Sequence, residues 1–272
     1  MTTATSTALP GTLSIGLARG AAELRQFFRQ KEFAVFTFAL PAFLLILLGS
    51  IFGESLPGSS VTSSQVFAAS MVGAGIISTS FVTMGTGVAL DREDGTLKRL
   101  RGTPMPATSY FIGKLILVAV ASVAEVIVML AVGMLMFDVR LPSDPVDWFT
   151  FAWVFTLGVI GCGMLGIALS TVTKGVNDAS AATQLVFLGL QFTSGVFVMI
   201  SQLPSAMTTV SSLFPVKWIC QGLRSVFLPD EMAAYEMAGK WELGLTAGVL
   251  SAWCVAGLVL CLLTFRWSNR SN

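Results

Sequence analysis

Residues 91–114 read DREDGTLKRLRGTPMPATSYFIGK, the one densely charged island in a chain otherwise built for lipid. Asp91, Arg92, Glu93, Asp94, Lys98, Arg99, Arg101 and Lys114 fall here, out of only 16 Lys and Arg and 15 Asp and Glu in the whole sequence. Apolar runs long enough to span a bilayer flank the island on both sides, so its charges must lie at a membrane surface, where water and another protein reach them. The stretch is predicted to be a cytosolic handle between two membrane helices that receives force or information.

Composition agrees. With 54% hydrophobic and 11% charged residues and a mean hydropathy of +0.79, the chain falls in the polytopic membrane class and outside soluble-globular usage. A net charge of +1 and few clustered bases give no sign of a nucleic-acid partner. The lack of histidine removes Ser-His and Cys-His nucleophiles and HExxH zinc sites, and no catalytic residue is nominated. Cys162, Cys220, Cys254 and Cys261 are scattered without a CxxC pair, so no metal site is expected and all four read as small packing residues. No GxxxxGK[ST] phosphate loop occurs, so any ATP this protein uses must be bound by another polypeptide.

In chain order, residues 1–12 read as a disordered tail. Residues 13–32 read as an amphipathic helix on the membrane surface, with Leu13, Leu17, Ala21, Leu24 and Phe28 on one face and Arg19, Glu23, Gln26 and Gln30 opposite. Spans are predicted at 33–52, kinked at Pro41, and at 66–90, 111–137, 148–170, 181–200 and 241–265. In the second, Ala69 and Gly73 have the small-xxx-small spacing of close helix packing, so this span is expected to face protein more than lipid. Residues 201–240, broken by Pro204, Pro215 and Pro229, suit helices that dip into the outer membrane face and return. Residues 266–272 form a tail.

Six spans put both termini on one side. Arg19, Arg25, Arg29, Lys31, Arg92, Lys98, Arg99, Arg101, Lys114, Lys174, Arg266 and Arg270 share that side, against Arg140, Lys217, Arg224 and Lys240 opposite. The positive-inside rule therefore makes the termini cytoplasmic.

Glu93-Asp94-Gly95-Thr96-Leu97-Lys98-Arg99-Leu100-Arg101 with Thr103-Pro104, then Tyr110 and Gly113-Lys114, resembles the segment between spans two and three in the membrane subunits of type-2 ABC exporters. Ser194-Gly195-Val196-Phe197 with Leu203-Pro204 is similar to that family's fifth-span end, and Phe214-Pro215 with Trp218 and Arg224 to its outer re-entrant hairpin. The likeness is nearest to the compact drug-resistance branch. It implies an all-α, six-span permease with an N-terminal connecting helix at 13–32, a single membrane domain over 33–265, and a coupling helix in the island. Arg92, Glu93, Asp94, Gly95, Thr96, Leu97, Lys98, Arg99, Leu100 and Arg101 would then seat against a cytosolic ATPase. The resemblance further implies two ATPase copies holding ATP and Mg²⁺, a second permease forming a homodimer, surrounding lipid, and outward transport across a bacterial plasma membrane.

The residues themselves support a peg. Gly95 can end a turn, Thr96 can cap the next helix, and Leu97 and Leu100 give a short apolar face beside Lys98, Arg99 and Arg101. A mere positive anchor would not need Asp91, Glu93 and Asp94. Within the spans, Glu125 reads either as part of a substrate or proton pathway or as an interhelical contact. Gln184 and Gln191 share a face with Ser194 alongside, lining a lumen or bonding between helices. Phe187, Phe192, Phe197 and Phe214, with Trp218, offer an aromatic wall, lipid-facing packing being the other reading. Trp148, Trp241 and Trp267 suit interface belts. Lys217 and Arg224 suit anionic ligands or pairing with Asp230 or Glu231. The rival from another class is a proton-coupled secondary transporter using Glu125.

Overall fold

The structure is a computed structural model that describes residues 11–53, 56, 59–197, 200 and 203–264. Residues 1–10 of the expected N-terminal tail and the C-terminal tail, with Arg266, Trp267 and Arg270, lie outside these residues, and Thr12, expected in the tail, opens α1. Every regular element among them is helical: α1 (Thr12–Arg29), α2 (Lys31–Ile51), α3 (Ser63–Ile77), a π-turn (Ser78–Val82), α4 (Thr83–Glu93), α5 (Thr96–Arg101), α6 (Ala107–Phe137), α7 (Pro145–Val172), α8 (Val176–Thr193), α9 (Ser205–Ser212), α10 (Pro215–Phe227), a 3₁₀ turn (Asp230–Tyr235) and α11 (Leu243–Thr264). Five stretches are long and apolar enough to cross a bilayer: α2, the continuous rod Ser63–Glu93, α6, α7 and α11. The chain is thus a multi-pass membrane protein.

The rod Ser63–Glu93 is the axis. A capping box starts it, with Thr62 Oγ1 accepting from the Gln65 N–H while Gln65 Oε1 accepts from the Thr62 N–H. It is largely buried, as its Gly, Ala, Ser and Thr content predicts, with α2, α6, α7, α8 and α10 around it. Ala69 and Gly73 do mark a close approach: a Cβ on Gly73 would lie 3.2 Å from the Cα of Cys220 on α10. Lower down, Gly85 and Gly166 let the rod and α7 cross backbone to backbone, a Cβ on Gly85 falling 3.0 Å from the Gly166 carbonyl. α11 packs outside α7, and α1 outside α6.

Two regions differ from expectation. α1 turns its other face inward: Gly16, Gly20, Glu23 and Phe27 are buried against α6, while Leu13 and Leu17 stay exposed. Large residues on Gly16 and Gly20 would collide with Ile112 and Ile116, so small residues define the packed face and the apolar stripe is left for lipid. The segment expected at 181–200 begins earlier, at Val176, and stops at Thr193, because Gly195 takes a φ of 76° that an L side chain resists. With Asn177, Asp178, Gln184 and Gln191, α8 is more polar than the five spanning helices.

Beyond α8, α9 and α10 form the hairpin region. α10 is buried along nearly its whole length against α3, α7 and α11. Trp218 Nε1 donates to the Ser212 carbonyl at 2.8 Å and Trp253 Nε1 to the Leu213 carbonyl at 2.7 Å, so the α9–α10 turn is tied to itself and to α11.

Candidate functional site

The charged island is the joint at one end of the bundle. Four consecutive residues, Asp91 to Asp94, leave the end of α4 and each binds a different element.

Asp91 points inward. Its Oδ2 lies 2.7 Å from Lys114 Nζ of α6, accepts from the Tyr110 hydroxyl at 2.8 Å, and is 3.8 Å from Arg19 of α1. Lys114 also meets Glu23 of α1 at 3.0 Å, and Glu23 pairs in turn with Arg19 one turn away. Asp91, Glu23 and Lys114 are all buried. A single buried carboxylate would carry a desolvation cost of several kcal/mol; two cations shared between two carboxylates offset it and bind α1, α4 and α6 together. Gly113 makes room, since a Cβ there would strike the Arg19 stem.

Arg92 and Glu93 reach the other way, to the short connection between α7 and α8. Arg92 Nη2 donates to the Thr173 carbonyl at 2.7 Å, and Glu93 Oε2 accepts from the Val176 N–H at 2.7 Å. The signs suit the helix termini: a cation on the last carbonyls of α7 and an anion on the first amide of α8. Gly175 is needed beside Glu93, where a Cβ would lie 3.0 Å from Oε2.

Asp94 starts α5. Its Oδ1 accepts from the Thr96 N–H at 2.8 Å while Gly95, at φ 77°, makes the turn between α4 and α5. Asp94, not Thr96, therefore supplies the capping oxygen. Burial alone would push the Asp94 carboxyl up, but the Thr96 hydrogen bonds and the Arg99 charge outweigh it and hold the group below the usual aspartate value. Within α5, Leu97 is buried in the main core and Leu100 packs against it, whereas Lys98, Arg99 and Arg101 are exposed.

Of the ten island residues, Arg92, Glu93 and Leu97 thus hold the chain to itself, and the basic face of α5 points outward. Arg19, Glu23, Asp91, Tyr110 and Lys114 complete the joint. Asp91 and Lys114 stood inside the island without a role, and the partners Arg19 and Glu23 lie some ninety residues from Lys114.

The seven pathway candidates separate. Gln184 and Gln191 line a cleft of about 200 Å³ with Phe187, Phe36, Pro41 and Ser78, between α2, the π-turn and α8. Glu125 stands behind that wall, fully buried, accepting from the Thr79 hydroxyl of the π-turn. Gly75 admits it, since a Cβ would sit 2.9 Å from Oε1. Ser194 is buried just past α8, and Phe197 packs between Phe67 and Phe192. Phe214 stacks on Trp253, away from the cleft, and Trp218 lies under Lys217, whose Nζ is 3.9 Å from the ring centroid. Arg224 pairs with neither Asp230 nor Glu231. Its Nε donates to Glu236 at 2.6 Å and its Nη1 to Ser70 at 3.0 Å, pinning the hairpin to the rod. Asp230 instead accepts from Trp241 Nε1 at 3.1 Å, and Trp148 Nε1 donates to the Pro142 carbonyl, so both rings are tied at helix ends.

Comparison with known proteins gives the same outline. Residues 18–228 match the ABC-2 type transporter family, a stretch running from α1 through the joint to the end of α10. A Bacillus subtilis protein named as a transport permease, YvfS, is 20% identical over 71% of this chain and 78% of its own length. An Escherichia coli protein named as a multidrug ABC transporter permease, YbhS, is 27% identical over 57% of this chain, but only 39% of its own length is matched. A Porphyra purpurea protein named as a transport permease, ycf38, is 26% identical over 69% of this chain and 65% of its own. The helical multi-pass fold, the island between two spans and the family match agree: the chain belongs to the ABC-2 type transporter family, as a membrane subunit of an ABC transporter.

Proposed function

We propose that this chain is the permease of an ATP-driven exporter that moves a hydrophobic or amphipathic substrate, such as a drug or lipid, outward across a bacterial plasma membrane. The observation that carries the reading is the joint. A short helix presents Lys98 and Arg99 to solvent while its root is fastened to α1, α6, α7 and α8 through Asp91, Arg92 and Glu93. A push on α5 reaches four helices as rigid-body motion rather than as local bending. Two copies of a cytosolic ATPase, holding ATP and Mg²⁺, supply the push, and the charged end with both termini faces the cytoplasm. α8 acts as the sixth span and α9–α10 as the outer re-entrant hairpin.

The cleft between α2 and α8 is the substrate path. Its walls are mostly apolar and aromatic, with Thr37, Ser78, Thr83, Gln184 and Gln191 as polar contacts, a lining suited to an amphipathic molecule. Outside the cleft lining, α2 exposes Val35, Phe43, Leu47 and Ile51, surface that a second permease or lipid must cover. Pairing with an identical copy places two such clefts around one interface. Glu125 serves as an interhelical contact that holds the π-turn behind the cleft, so no proton route is needed.

Co-purification of the tagged chain from its native membrane, followed by flux in proteoliposomes, tests this. The expected result is a P-loop ATPase in the complex and efflux that stops when that ATPase loses its phosphate-loop lysine. A chain that transports alone, driven by a proton gradient and silenced by Glu125→Gln, overturns it.

A further inference from the structure

We infer that a second, separate cleft at the charged end of the bundle is a binding site for one acyl chain of a phospholipid from the adjacent leaflet. The cleft has a volume of about 470 Å³ and is walled by Phe111 and Leu115 of α6 and by Leu258 and Leu262 of α11, over a floor of Met84 and Ile167. It shares no residue with the cleft that contains Gln184 and Gln191.

Depth and chemistry select the occupant. The lining begins in the first turn of α6, at Ala107 and Thr108, and runs to Leu115, which is ~12 Å along a helix axis. Leu115 stands only ~6 Å inside the expected span at 111–137, against ~15 Å for half of a hydrocarbon core, so the cleft lies in the headgroup-side part of one leaflet and stops short of its midplane. Beyond Thr108 its walls are almost wholly apolar, which suits a methylene chain and gives nothing to orient a polar solute. Ile167 and Met84 are nearly inaccessible although they face the cleft, while Leu262 on the rim is exposed, so the opening is sideways, toward lipid. The site rests on membrane insertion alone; only its leaflet rests on the orientation proposed above.

The test uses the full chain in proteoliposomes containing phosphatidylglycerol with a photoreactive diazirine midway along one acyl chain, with labelled residues mapped by peptide mass spectrometry. Leu185 of α8, at 75% exposure, is the reference for ordinary lipid contact, against 3% for Ile167. The expected result is labelling of Ile167 and Leu115 several-fold above Leu185, lost at Ile167 in Leu258→Trp and in Leu115→Trp while Leu185 is unchanged. Ile167 labelled no more than Leu185 overturns the site. None of these readouts uses the ATPase, so the lipid site and the exporter reading fail separately.

Discussion

At the charged end Lys114 is shared between Asp91 at 2.7 Å and Glu23 at 3.0 Å, with Arg19 and Tyr110 closing the group, whereas at the hairpin end Arg224 has Glu236, at 2.6 Å, as its one carboxylate among the described residues. Both sites are buried. The first ties α1 to α4 and α6, two helices distant from it in sequence, and its neighbours Arg92 and Glu93 add the α7–α8 connection. The second pins one short hairpin to the rod through Ser70, inside a wall of apolar contacts. Charge that is shared among several elements makes a joint that moves them together; charge confined to one pair makes a clip. The island is built as a joint and α10 as a clipped plug.

The strongest way to break the contrast is to remove the shared cation. Lys114→Met leaves Glu23 and Asp91 facing each other with only Arg19 between them, an expected loss of about 3–5 kcal/mol. Unfolding in mixed micelles of increasing SDS content measures it. Adding Glu23→Leu is expected to recover little, because Asp91 remains. Arg224→Met should be similarly damaging on its own, since Glu236 is left buried and unpaired, again about 3–5 kcal/mol. There, however, the double variant Arg224→Met, Glu236→Leu should regain most of the loss, because a lone pair can be exchanged for packing. Equal recovery at both ends would erase the distinction between joint and clip.

Smaller changes sharpen it. Glu93→Gln keeps an acceptor at the start of α8 but removes its charge, and an expected cost of about 0.3–1 kcal/mol should appear as faster hydrogen exchange at the first amides of α8 with α11 unaffected. The smallest effect concerns Asp94. Its folded carboxyl is held low, so the α5 cap is complete above the ordinary aspartate value and is lost only as pH falls through the lower folded one. Between pH 8 and 5 the protection of α5, corrected for intrinsic exchange, should therefore stay flat, and Asp94→Asn should lower it slightly throughout.

The spans were legible in sequence because bilayer thickness fixes their length. α2, α6, α7, α11 and the central rod lie within a few residues of the hydropathy reading, and the rod's small residues announced its burial. α1 was legible as a helix but not as a surface: the large Leu and Phe stripe dominates its periodicity, yet in lipid the small residues Gly16 and Gly20 choose the packed side. That spacing was present and is the signal that finds the face. The early end of α8 lay in Gly195, read as part of a motif rather than as a stop. The joint itself could not be read, because Glu23, Asp91 and Lys114 meet only when three helices pack. Acidic residues in the island argued that it was more than an anchor; all three proved to bind the chain's own helices, Asp91 at α6, Glu93 at the start of α8 and Asp94 at the start of α5.

The central claim is a division of labour within ten residues: Arg92 and Glu93 hold the bundle, and Lys98 and Arg99 meet the ATPase. Pull-down of the ATPase by the tagged permease, with ATP-driven flux measured on the same preparations, tests it most directly. Lys98→Glu, Arg99→Glu is expected to lose the ATPase while the permease keeps its unfolding transition. Arg92→Ala, Glu93→Gln is expected to retain the ATPase yet lose flux. If the inward pair releases the ATPase as fully as the outward pair does, or if the outward pair has no effect on binding, the division is wrong.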